Sequence, residues 1–247
     1  MAVVTGGTSG IGLALVRGLA KAGADVAPMS RRREQVDQAA AEVEALGRRA
    51  ARITADVGDR GSLDAALRQA IDALGHIDIL VNCAGITKRT PTVDLTDEEW
   101  SSILDTNLTG TWRSCQVFGR HMLERGYGRI INIASLASFV GLLEVAAYTA
   151  SKSGVAGLTR ALAVEWGARG VNVNAIAPGV YRTALNAALL DGTERGKEFL
   201  LRTPLKRFGR VEELAGACVF LASEEASFVN GEVLAVDGGF LASGVNQ

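Results

Sequence analysis

Three polar side chains in the second half of the chain, Ser135, Tyr148 and Lys152, could together move a proton. Tyr148 and Lys152 stand four apart near the start of a helix-like run. Residues at that spacing share one helix face, so the ammonium can lie close to the phenol. A free tyrosine has a pKa of about 10, too high to exchange protons efficiently near neutral pH. A neighbouring cation favours the phenolate, each unit of lowering being worth about 1.4 kcal/mol. That makes Tyr148 the candidate general acid/base, with Ser135 ending a strand thirteen residues before it.

A second set lies near the start of the chain. The segment Thr5-Gly6-Gly7-Thr8-Ser9-Gly10-Ile11-Gly12 follows a short apolar strand and leads straight into a helix that repeats Ile11, Leu15 and Leu19. A glycine turn there lets the backbone approach a pyrophosphate, while the helix N-terminus offers N–H donors and a positive dipole. The residues expected to do this are Gly6, Thr8, Ser9, Gly10, Ile11 and Gly12. The spacing is Gly-x3-Gly-x-Gly, which differs from the usual Gly-x-Gly-x-x-Gly. The second strand ends at Ser30-Arg31, with no acidic residue to hold a ribose 2′-hydroxyl. A hydroxyl and a guanidinium suit a 2′-phosphate instead, so NADP is expected over NAD. Asp56-Val57 closes the third strand and Asn82-Cys83-Ala84-Gly85 the fourth. In open parallel sheets ligands bind beyond the carboxyl ends of the strands, so these tips should line the adenosine half, with Asp56 accepting from the adenine amino group. An oxidised nicotinamide bound nearby would add its own positive charge to the effect of Lys152 on Tyr148.

The elements that must position these residues follow from apolar patterning. Runs rich in Val and Ile recur at Val3-Val4, Val26-Met29, Arg52-Ala55, Ile77-Asn82, Arg129-Ala134, Val171-Ala177 and Val233-Val236, with helical segments between them. Strands alternating with helices imply a parallel sheet covered on both faces: a Rossmann-type, doubly wound α/β fold of about seven strands. Leu63, Leu67, Ile71 and Leu74 mark a second core-facing helix stripe. No linker, charge block or repeat divides residues 1–247, so one domain is expected. Pro28 is out of place in an interior strand, where its missing N–H loses a ladder bond.

The chain has 247 residues, 48% of them hydrophobic, and a formal net charge of -1, which excludes a general field for nucleic acid or anionic membrane. Cys83, Cys115 and Cys218 are odd in number and lack ligand-spaced histidines, arguing against a disulfide framework and against a metal site. There is no secretory start and no apolar run of about 18 residues, so a cytoplasmic protein is expected.

In order and spacing, the glycine turn, Asn82-Cys83-Ala84-Gly85, Asn107, Ser135, Tyr148-x3-Lys152 and Pro178-Gly179-x3-Thr183 resemble the short-chain dehydrogenases/reductases over essentially the whole chain. The resemblance implies an NADP(H)-dependent oxidoreductase acting on a carbonyl or alcohol. By it, Ser135 holds the substrate oxygen, Tyr148 exchanges its proton and Lys152 also binds the nicotinamide ribose. Asn107 would bind a water linking Lys152 to solvent. Thr183, with the backbone after Pro178 and Gly179, would hold the carboxamide. It further implies a homotetramer built through the helices after Asn107 and Tyr148 and through Val236–Gly239. Two departures stand out: Cys83 replaces a usual asparagine, and the first strand starts almost at Met1, leaving it short or frayed.

A non-catalytic dinucleotide sensor would be expected to lack Tyr148 or Lys152, so an enzyme is the better reading. Arg129 and Arg169 are placed as in reductases of carrier-bound 3-oxoacyl groups. Ile86–Pro91 and Val236–Ser243 look more like family members acting on gluconate and deoxygluconate. A sugar acid is therefore the expected substrate, its carboxylate gripped bidentately by Arg89, or else by Arg182.

Overall fold

The structure, a computed structural model, describes residues 1–183 and 186–244. Seven parallel strands form one sheet in the order β3-β2-β1-β4-β5-β6-β7. They are β1 (Ala2–Thr5), β2 (Val26–Ser30), β3 (Ile53–Thr54), β4 (Ile79–Asn82), β5 (Gly128–Ile133), β6 (Val171–Pro178) and β7 (Val233–Val236). The order reverses between β1 and β4, which opens a crevice at their carboxyl ends.

The helices are α1 (Gly10–Lys21), α2 (Arg33–Ala45), α3 (Arg60–Leu74), α4 (Asp97–Leu104), α5 (Gly110–Arg125), α6 (Ala146–Trp166), α7 (Ala187–Leu190), α8 (Glu194–Arg202) and α9 (Ala215–Ala222), with a π-turn over Asp105–Thr109 joining α4 to α5. Successive strand residues point to opposite faces and divide the core in two. Val3, Met29, Leu80, Ile130 and Val173 pack under α3, α5 and α6 with Phe118 and Met122. Val4, Val26, Val81, Ile131 and Ile176 pack under α1 and α9 with Leu15, Leu19 and Leu221. The buried stripe of α3 is Leu63, Ala66, Ala70 and Leu74, with Leu67 and Ile71 at its margin. Alanines let that helix sit close to the sheet.

Strand β1 is neither frayed nor loosely held: its four residues are buried and pair with both β2 and β4. Pro28 also finds an explanation. Val26 and Ser30 turn their backbone groups towards the β3 side, where Val26 N–H donates to Arg49 and Ser30 C=O accepts from Ala55. Pro28, two residues from each, faces the same way, so its missing N–H falls on the β3 edge and not on the central pairing with β1. Pairing is correspondingly thin there, a single bridge at Val26–Ala50 and then the two residues of β3.

Candidate active site

Apart from Asn107, the residues singled out for cofactor or chemistry sit at or beyond the carboxyl end of a strand or near the start of a helix. The turn after β1 is tight enough to demand glycine. Gly6 has φ +66° and a Cβ there would come 2.9 Å from the Ala84 backbone, while a Cβ on Gly12 would come 2.1 Å from the Gly6 carbonyl oxygen. The first turn of α1 thus lies directly on the glycine loop, and the loop on Ala84. Ser9, the N-cap, makes no side-chain bond to the helix, leaving the first N–H groups of α1 facing the crevice. Thr8 reaches Gln35 of α2 at 3.4 Å, and a Cβ on Gly10 would lie 3.9 Å from Thr183 Cγ2. The segment after β6 therefore closes over the same turn, anchored where Pro178 pairs with Val236 and the Gly179 N–H donates to the Val236 carbonyl.

On the other side of the turn, the Arg31 guanidinium is 3.8 Å from Asp56, and both are exposed enough to meet a ligand. The Ser30 hydroxyl accepts from the Arg32 N–H at 3.3 Å. Two expected contributors point elsewhere. Asn82 directs its amide into the core, donating to Asn132 at 2.9 Å and to Cys115 Sγ at 3.2 Å, and Val57 is buried where a Cβ on Gly110 would meet it at 2.8 Å. Both can face a ligand only through their backbone. Thr5, which sequence reasoning passed over, accepts from the Cys83 and Ala84 N–H groups at 3.1 and 3.2 Å and so holds the β4 tip against the glycine turn.

The proton-handling residues converge beside this crevice. Ser135, two residues past β5, is buried, and its hydroxyl accepts from the Ala137 N–H at 3.1 Å. Lys152 lies one turn along α6 from Tyr148, its ammonium 5.8 Å from the centre of the phenol ring and 2.6 Å from the Ile133 carbonyl. Burial pushes the Tyr148 phenol above its ordinary value, opposed by a hydrogen bond from Ser135. Burial also brings Lys152 down to about 8. Burial thus works against the expected depression of Tyr148. Desolvation favours the protonated phenol, and a positive charge placed beside it would work the other way.

Asn107 lies in the π-turn, fully buried. Its Oδ1 accepts from the Ile86 N–H at 2.8 Å, and its Nδ2 donates to the Ile86 carbonyl at 2.9 Å and to the Ser151 hydroxyl at 3.1 Å. The side chain is a clamp between the β4 loop and α6, with both Nδ2 hydrogens engaged and one Oδ1 lone pair still open. A Cβ on Gly85 would come within 3.3 Å of Asn107 Oδ1 and 3.8 Å of Lys152 Nζ, so this glycine keeps the approach to the ammonium open.

A family model described as "Enoyl-(Acyl carrier protein) reductase" matches residues 6–241. The chain belongs to the short-chain dehydrogenase/reductase family, and it is an oxidoreductase. It is 40% identical to gluconate 5-dehydrogenase of Gluconobacter oxydans (strain 621H), the match covering 98% of this chain and 94% of that one. It is 43% identical to D-threitol dehydrogenase of Mycolicibacterium smegmatis, over 97% and 92% of the two chains. A crystal structure of a gluconate 5-dehydrogenase from Burkholderia cenocepacia J2315, in complex with NADP and tartrate, superposes with a TM-score of 0.95 at 39% identity, covering 98% of this chain and 95% of that one. No helix among the described residues is long and apolar enough to cross a membrane.

The arginines expected at the substrate mouth are both engaged by the protein's own carboxylates. Arg89 Nε is 2.5 Å from Glu144, and Arg182 forms a two-pronged pair with Asp191 at 2.6 to 3.1 Å. Arg129, the candidate for a carrier-protein contact, is 4% exposed, stacked on Tyr127 and paired with Glu224. It enters at the amino end of β5, across the sheet from Tyr148.

Proposed function

We propose that this oxidoreductase uses NADP(H) to interconvert the secondary alcohol of a sugar acid such as gluconate with the corresponding ketone. The observation that carries the reading is the convergence of Ser135, Tyr148 and Lys152 beside the uncapped start of α1. When bound, the nicotinamide supplies the hydride acceptor or donor.

The chain's own residues do the rest. Gly6 to Gly12 and α1 would take the pyrophosphate, with Ser30 and Arg31 at the 2′-phosphate and Asp56, Ala84 and Gly85 around the adenosine. Thr183 and the backbone after Pro178 would hold the carboxamide. Lys152 would take the nicotinamide ribose hydroxyls, exchanging its contact with the Ile133 carbonyl for them. The Ser135 oxygen already accepts from Ala137, which leaves its proton to point at the substrate oxygen or at the Tyr148 oxygen. Tyr148 then gives its proton to the ketone oxygen in reduction and takes one from the alcohol in oxidation. The Asn107 clamp fixes the β4 loop against α6, holding a path for water to Lys152.

The sugar-acid substrate is supported by the relatives named for gluconate and by a cluster of arginines around Glu144. A carrier-bound thioester fits less well, since Arg129 is buried, paired and on the far side of the sheet. A cytoplasmic homotetramer fits the large apolar side chains left uncovered on one copy: Val164 on α6 is 86% exposed, and Phe228, between α9 and β7, fully so.

The test is initial rates with NADPH and NADH on keto-gluconates, acetoacetyl thioesters and neutral ketones, repeated with Tyr148→Phe. Turnover of a keto-gluconate with NADPH is expected. The variant should lose at least a hundredfold in kcat while still binding NADPH, because only the proton-exchanging hydroxyl is gone. Retention of more than about a tenth of the rate would remove Tyr148 from its role.

A further inference from the structure

Three segments meet at Glu144: the loop leaving β4, the loop entering α6 and helix α8. The Thr90 N–H donates to the Glu144 carbonyl at 2.9 Å and Arg89 pairs with its carboxylate, tying the first two together. Glu144 holds φ +62°, a left-handed conformation that costs a non-glycine residue energy and that the surrounding contacts must sustain. From α8, Arg195 donates to the Leu143 carbonyl at 3.3 Å and stacks over Phe199 at 5.4 Å. Tyr148 follows Glu144 by four residues, so this junction leads directly into the start of α6 that carries Tyr148 and Lys152.

The charges at the junction do not balance. Among the described residues, Arg195 has no carboxylate within ion-pair distance. Glu144 is held by Arg89, Glu194 by Lys197 at 2.7 Å and Glu198 by Arg202 at 3.1 Å. Its bond to the Leu143 carbonyl uses one of five guanidinium N–H groups. Half-burial and the nearby Arg89 both make its positive charge less comfortable, with Glu144 and Glu198 only partly offsetting them. A half-buried, unneutralised planar cation beside a substrate mouth gains from an anion that arrives with the ligand.

We infer that Arg195 grips the substrate carboxylate, while Arg89 and Glu144 form a neutral strut that holds the mouth in shape. This rests on the sugar-acid reading and adds to it the residue that selects acids over neutral polyols. The strut also explains why Arg89, though close to the β4 tip, is a poor receptor. To bind a substrate carboxylate it would have to give up its pair with the Glu144 carboxylate.

The experiment compares the wild type with Arg195→Gln, Arg195→Lys and Arg89→Ala as full chains, using NADPH with 5-keto-gluconate and with a neutral ketose of equal carbon number. A wild type that reduces the ketose but no keto-gluconate removes the sugar-acid reading itself, before any variant is made, and this inference with it. Given turnover of the acid, Arg195→Gln should raise its KM roughly ten- to hundredfold, change kcat less than about threefold and leave the ketose untouched. Arg195→Lys keeps the charge without the fork and should recover part of the loss. Arg89→Ala should weaken both substrates alike, because it loosens the shared mouth. The inference is overturned if Arg195→Gln loses equally on both substrates, which would reduce Arg195 to an anchor for Leu143. It is equally overturned if Arg195→Gln keeps its acid selectivity while Arg89→Ala abolishes it.

Discussion

Lys152→Met should kill the enzyme and stabilise the cofactor-free protein. Burial holds the Lys152 ammonium near a pKa of about 8, against 10.5 for the free side chain, a depression of 2.5 units that corresponds to about 3 kcal/mol of strain at neutral pH. Methionine has a similar length and no charge to desolvate. Losing the 2.6 Å bond to the Ile133 carbonyl leaves that oxygen unpaired and returns about 1 kcal/mol of the gain. The net stabilisation at pH 7 is then about 2 kcal/mol, or roughly 4–8 °C in Tm for a chain of this size. The pH dependence identifies the cause. Between the folded pKa of about 8 and the unfolded 10.5, the unfolded wild type binds more protons than the folded one, so wild-type stability rises with pH in that window. The methionine variant lacks this rise. Its advantage should therefore be full below pH 8, be gone by about pH 9.5 and become a deficit of about 1 kcal/mol above 10.5, where only the lost Ile133 bond remains. Chemical denaturation of both proteins without cofactor at pH 7 and pH 9.5 measures it. A variant less stable than the wild type at pH 7, or a difference that does not change with pH, would refute the reasoning.

Arg31→Ala should weaken NADPH at least tenfold while changing NADH little, since among the described residues the guanidinium at the β2 tip has only the Asp56 carboxylate, at 3.8 Å, as an ion-pair partner; equal loss of both cofactors, measured by fluorescence titration, would take Arg31 out of the phosphate site. Sedimentation at micromolar concentration should give four times the chain mass of 25.8 kDa, and a monomeric mass would leave Val164 and Phe228 bare in solution and end the homotetramer proposal.

The glycine turn, Ser135, Tyr148 and Lys152 were legible because their geometry is local. A strand tip, a helix start and a four-residue spacing fix where each must stand, and the structure places all of them at one end of the sheet. The stripe on α3 was half legible: large Leu63 and Leu74 announced it, but Ala66 and Ala70, which do the close packing, carry too little apolar signal to stand out. The direction of Asn82 was hidden, since whether a strand-end amide faces ligand or core depends on Cys115 on α5 and Asn132 on β5, both well further along the chain. Glu144 and Arg195 were invisible for the same reason. They lie fifty-one residues apart, Glu144 in a loop and Arg195 on α8, and only the folded chain brings Leu143 to the guanidinium. The state of Tyr148 could not be read from spacing either, because the charge next to it was foreseeable and the depth of its burial was not.

The π-turn between α4 and α5 has a geometric effect well beyond Asn107. An α-helix advances about 100° per residue, so one residue added without a break turns everything after it by more than a quarter of a revolution. Asp105–Thr109 sets the angular phase of α5, and it is in this phase that Cys115, Phe118 and Met122 point at the sheet while Trp112 looks outward. The same winding directs the Asn107 amide at Ile86 and Ser151. Catalytic loop and core packing are thus indexed to one another by a single count of residues, so a change of length here would displace both at once.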